Sequence, residues 1–195
     1  MAADGVAARP LPRFIVTVLL WLPATFALWY FAAPILMWPV TLIVEGLVRA
    51  GFADLVHAVE QHGAIVSFAT TLRPGQAEAT SARIAVDVNT LLYSFGLPLY
   101  AALVVAAREP HWLRNLAIGY AVLLPVVAWG VGADFLKNVA ITSGPLVASQ
   151  TGFSPVQRET IAFAFQFGSL ILPTVVPAAT WVLTHRAFLE RLRGG

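Results

Sequence analysis

Few side chains in this chain are placed to do chemistry. Asp134 and Lys137 stand at i, i+3 near the end of an apolar stretch, where a helix puts both on one face within pairing distance. Charges at the margin of a hydrocarbon layer are costly unless paired or wetted, so the two read either as an ion pair closing a helix or as a contact for a partner or substrate. Glu45 and Arg49 form an i, i+4 pair in the favourable acidic-first order, which reads as structural. His57, Glu60 and His62, with Asp54 nearby, offer imidazoles and carboxylates. On one strand, however, residues five apart point to opposite faces, and a metal site wants at least three convergent ligands, so no metal is expected. Ser67, Thr70 and Thr71 form no nucleophile motif such as Gly-x-Ser-x-Gly with those histidines. The chain has no cysteine, which removes disulfides, thiolate ligands and a cysteine nucleophile together. The expectation is a protein with no catalytic residue and no cofactor, and so not an enzyme.

The elements that must position these residues are membrane spans. Hydrophobic residues make up 58% of the chain and charged residues 11%, less than half the ~25% of a soluble domain. The apolar residues also fall in long blocks, at about 13–33, 90–107, 116–135 and 159–184, each able to cross a bilayer core that takes roughly 20 helical residues. The stretch from Phe14 to Val44 has no formal charge over 31 residues, which exceeds a signal-peptide core of about 7–15 and reads as an uncleaved anchor. Its second half, Pro34 to Val48, carries Pro39 and Glu45 and is short for a span of its own. It is expected to extend the first helix, bend at Pro34 or Pro39 and lie along the outer interface, with Trp29, Tyr30 and Trp38 in the aromatic belt.

Between the first two spans the period changes to two. Ile84, Val86 and Val88 share one face against Arg83, Ala85 and Asp87, and Ala64, Val66, Phe68 and Leu72 alternate with Ser67 and Thr71. With the turn-rich 73–81 between them they predict an antiparallel hairpin, and Asp54 to Gln61 predicts a third strand joined through His62-Gly63. The bent first helix or the membrane surface is the expected cover of its apolar face. The connection 137–158 is expected to be irregular with a short helix, and Ser154-Pro155-Val156-Gln157 predicts a capping box opening the last span. Gly96, Gly119, Gly130, Gly132 and Gly168 allow helices to approach closely, and Asn89, Tyr93, Gln166 and Ser169 could hydrogen-bond across the bundle, with packing the favoured role for most.

Charge sets the expected orientation. The N-terminus, the loop 108–115 and the tail 185–195 carry seven basic residues against three acidic, and the other side carries five against seven. This places both termini in the cytoplasm and the β-rich insertion 54–88 outside it. The fold class is therefore an α-helical membrane protein: a single domain over 1–195 with about four transmembrane helices and a small antiparallel extracytoplasmic sheet. With a net charge of +2 and no basic run, nucleic acid is not expected as a partner.

Four segments carry a resemblance. Val86 to Tyr100, VDVNTLLYSFGLPLY, resembles the strand-to-helix junction of exosortase H-associated membrane proteins. Trp129 to Lys137, Phe165 to Pro173 and the opening Trp21 to Tyr30 are similar to that family's other recurring stretches. The resemblance covers most of the chain and implies a bacterial inner-membrane accessory role in protein sorting and surface delivery, with an exosortase or a sorted substrate as partner besides the lipid bilayer. Exosortases resemble cysteine transpeptidases, so a chain without a thiol is expected to assist such an enzyme rather than replace it. The positions it nominates for interaction or packing are Asn89, Tyr93, Gly96, Pro98, Trp129, Asp134, Lys137, Gln166 and Gly168. The competing expectation is a small transporter or lipid-handling membrane enzyme built on Asp134 and Lys137, which needs a pocket joining that pair to Asn89 and Gln166.

Overall fold

A computed structural model describes residues 10–74 and 83–193. Two helices, α1 (Pro10–Leu36) and α2 (Trp38–Gly51), follow each other with a one-residue interruption at Met37. The break falls between Pro34 and Pro39, where the missing amide protons weaken the ladder. The bonds Met37 N–H to Ala33 O and Thr41 N–H to Met37 O still carry the chain through it. Three strands come next, β1 (Val56–His62), β2 (Ile65–Thr70) and β3 (Ala85–Asn89), paired antiparallel in that order. Gly63, at φ +65°, supplies the left-handed residue of the β1–β2 turn. The turn-rich stretch expected at 73–81 lies largely outside the described residues.

The rest is helical: α3 (Leu91–Ser94), α4 (Gly96–Ala107), α5 (Trp112–Lys137), α6 (Pro145–Gln150), α7 (Pro155–Gln166), α8 (Leu172–Thr184) and α9 (Arg186–Arg193). Five-residue π turns, Asn138–Thr142 and Phe167–Ile171, continue α5 and join α7 to α8. Three runs, 11–36, 112–142 and 155–184, are long and apolar enough to cross a membrane, and the fourth, 91–107, is shorter. The connection after α5 is more regular than expected, being a π turn plus α6. The capping box is present: Gln157 N–H donates to Ser154 Oγ, and Ser154 N–H to Gln157 Oε1.

The main core lies where α2, the sheet and the end of α5 meet. Val66, Phe68, Val86 and Val88 turn one face of the sheet inward against Val131, Phe135 and Val139, with Val40, Val44 and Val48 of α2 closing the side. The rings of Phe68 and Phe135 stack at 4.3 Å. The predicted cover, the extension of the first helix, is thus in place. Its direction departs from the expected course along the outer interface, because it packs lengthwise on α5. Leu36 O accepts from the Tyr120 hydroxyl at 2.7 Å, and further on Val44, Val48 and Phe52 share a cavity with Ala128, Gly132 and Leu136. The chain 36–52 therefore ascends alongside α5 from Tyr120 to Leu136.

Candidate functional site

At the sheet end, Asp134 and Lys137 leave the last turn of α5 on one face. Lys137 Nζ lies 2.8 Å from Asp134 Oδ1 and 4.2 Å from the centre of the Phe165 ring on α7. Asn138 Nδ2 donates to the same carboxylate oxygen at 3.0 Å and to Asp134 O at 2.9 Å, and the Tyr93 hydroxyl faces the carboxylate from α3. Asp134 is buried, and three groups, Lys137, Asn138 and Tyr93, compensate its charge. This is an interhelical joint: the ion pair fixes α5, Tyr93 fixes the strand-to-helix junction, and the ammonium over Phe165 fixes α7.

The glycines around it are shaped to the same joint. A Cβ at Gly130 would stand 2.5 Å from Tyr93 Cδ1, and one at Gly168 would stand 2.8 Å from Trp129 Cδ1. At Gly96 the neighbours would be Pro173 O and Pro177 Cγ, each at 2.5 Å, and at Gly119 the Tyr100 ring. Gly132 departs from the expectation: nothing lies within 4 Å of its Cβ direction, because it faces the cavity of about 320 Å³ between α2 and α7.

The nominated positions divide by role. Asn89 is exposed and its Oδ1 accepts from Leu91 N–H at 3.0 Å, closing the junction locally instead of bonding across the bundle. Pro98 is buried beside Trp29 and Tyr120. Trp129 donates to Ala164 O at 3.1 Å, a carbonyl next to the π turn where the i→i−4 ladder is interrupted. Gln166 is exposed, and Ser169 bonds only to its own turn, at Gln166 O. Asn89 and Gln166 are both exposed, and among the described residues neither bonds to the ion pair, so the pocket that would join them to it has no support here. Trp29 is also turned inward from the expected belt, donating to Ser94 Oγ at 3.2 Å.

Among the described residues, no element packs on the sheet's second face. Register places Glu60, Ser67 and Asp87 in one row across the three strands, and His62, Ile65 and Asn89 in the next. Ser67 donates to Asp87 Oδ1 at 2.7 Å, while Glu60, His62, Ile65, Asp87 and Asn89 are exposed. His62 Nε2 is 3.9 Å from Glu60 Oε2 at the surface.

A second polar cluster, not singled out in the sequence, closes the opposite end. His185, 2% exposed, meets Asn115 Nδ2 through Nε2 at 3.3 Å and Thr184 Oγ1 and Trp181 O through Nδ1 at 2.9 and 3.2 Å. Because a carbonyl only accepts, these contacts fit the neutral imidazole with its proton on Nδ1 and Nε2 accepting from the Asn115 amide. Tyr100 donates to Asn115 O at 2.8 Å, and an ion pair between Arg191 and Glu109 ties α9 to the loop after α4. Only the long separations of these partners, 70 residues for Asn115 and His185, hid them.

Fold and site together define a multi-pass helical membrane protein whose polar chemistry is spent on joining helices and on holding a small sheet with one face free. The chain belongs to the family of exosortase H-associated membrane proteins, which it matches over residues 8–188. No curated protein and no solved structure matches it. The family places it as a membrane protein associated with exosortase systems.

Proposed function

We propose that this protein is a non-enzymatic accessory subunit of an exosortase-type sorting and surface-delivery system, and that the open face of its sheet contacts the sortase or its substrate. It sits in the bacterial cytoplasmic membrane with both termini inside, as the charge bias favours. The observation that carries the reading is the asymmetry of the sheet. One face is locked onto Phe135 and Val139, and the other presents the row Glu60, Ser67 and Asp87 on rigid strands rather than on loops. The ion pair supports the reading by serving as the sheet's anchorage.

A photo-crosslinking residue at Glu60, Ile65 or Asp87, expressed in native membranes, is expected to capture a sortase or a sorted protein. A probe at Leu170, 69% exposed on the apolar flank, gives the background. Recovery from all three sheet positions of nothing beyond the Leu170 background overturns the proposal.

A further inference from the structure

At the end opposite the sheet, α1, α4 and the first turns of α5 leave a groove of about 560 Å³. Thr25, Leu28, Ala101 and Leu116 line it, and the same four residues line a second cavity of about 300 Å³ that reaches Leu36 and Tyr120. The two form one channel. From Trp21 to Leu36 it follows fifteen residues of helix, about 22 Å at 1.5 Å each, longer than the ~15 Å of one leaflet's hydrocarbon.

Its mouth holds Arg108 together with Trp21 and Trp112, which are 42% and 43% exposed. Arg108 stands out by its backbone. Among the described residues it is the one non-glycine with positive φ, at 52°, where its N–H closes α4 onto Val105 O. Glycine serves that position at lower conformational cost, so the backbone gives no reason for an arginine. Its guanidinium also makes no ion pair among the described residues, since Glu109, the carboxylate at the same mouth, is taken by Arg191. An unpaired cation and two half-exposed indoles at the rim of an apolar channel match the headgroup and chain regions of a lipid.

We infer that this groove holds one anionic phospholipid, its phosphate on Arg108 between the two indoles and one acyl chain along Thr25, Leu28, Ala101 and Leu116. α5 begins at the same mouth without a side-chain cap, so its positive dipole end lies near the anion.

The test uses the full chain in maltoside micelles and native mass spectrometry with equimolar phosphatidylglycerol and phosphatidylcholine of identical chains. Wild type is expected to retain phosphatidylglycerol about fivefold over phosphatidylcholine. Arg108→Gly is expected to unfold no earlier than wild type and to hold the two lipids equally, and Arg108→Lys to keep most of the preference. If the glycine variant fails to fold, Arg108→Gln reads the same loss. Ala24→Trp, at an exposed position on the groove, is expected to reduce retention of both lipids. Equal retention by wild type, an undiminished preference without Arg108, or displacement of the lipid by millimolar inorganic phosphate overturns the inference, the last by showing an anion site that needs no acyl chain.

Discussion

The two ends of the bundle hold their buried polar clusters together by different means, each leaving one buried nitrogen, Arg158 Nε or Trp181 Nε1, without a partner among the described residues. At the sheet end a carboxylate and an ammonium three residues apart on α5 neutralise each other, and Tyr93 and Asn138 complete the set. At the opposite end neutral groups from α4, α5 and the end of α8 interlock around His185, and the nearest ion pair is the one between Arg191 and Glu109 at the surface. The sheet end leaves a polar face free, whereas α9 draws the other end shut through Phe188, which packs on Phe14 and Trp181. The difference teaches that the ion pair is a local device holding a platform open, and the neutral network a long-range device binding helices to each other.

The largest effect should come from breaking the ion pair on one side. Asp134→Ala leaves the Lys137 ammonium and the Tyr93 hydroxyl without their partner and is expected to lower stability by about 3 kcal/mol, seen as a large drop in the thermal midpoint in micelles. Asp134→Leu combined with Lys137→Met should recover much of that loss and still support crosslinking at Asp87. A double variant that folds and yet abolishes the crosslink would instead give the pair a direct part in recognition.

Next come two glycines two residues apart on α5. Gly130→Ala drives a methyl group into the Tyr93 ring and is expected to cost roughly 1–3 kcal/mol. Gly132→Ala meets open space and should be neutral or stabilising by up to ~1 kcal/mol through helix propensity. Equal midpoints for the two variants would contradict the close approach of α3 to α5.

The smallest effect is the pH response of the opposite end. Burial holds the His185 imidazole below its ordinary value of 6.5, against the Trp181 carbonyl and the Glu109 charge, which pull it up. The unfolded chain then takes up the proton first, so stability is complete above that ordinary value and declines as pH falls below it. The midpoint measured at pH 8 and at pH 5.5 should fall more for wild type than for His185→Gln, and an identical fall in both would remove His185 from the response.

Much of the sheet end was legible because its signals are local. The alternation of Val66 and Phe68 and of Val86 and Val88, the i, i+3 spacing of Asp134 and Lys137, and the Ser154 box each lie within a few residues, the scale on which period and capping act. Two positions were not readable for one physical reason. Asn89 and Gln166 have side chains able to bond across helices, but whether they do depends on which way the junction and the π turn rotate them, and one residue of rotation turns a group by ~100°. The His185 cluster and the Arg108 groove were unreadable because their partners meet only after four helices have packed.

The stacking of Phe68 on Phe135 also imposes an order of assembly. The strands emerge during synthesis between the first and second spans, but half of their apolar support lies on α5 and the turn that follows it. At about 5–20 residues per second, the 67 residues separating the two rings take roughly 3 to 13 seconds to make. Until then Val66 and Phe68, joined by Val86 and Val88 as these are made, have α2 but not α5 beside them, so the nascent chain carries an uncovered β surface until its third span is inserted. The continuous run from α1 into α2 gives that surface its first shelter, supplied by the part of the chain that is made before it.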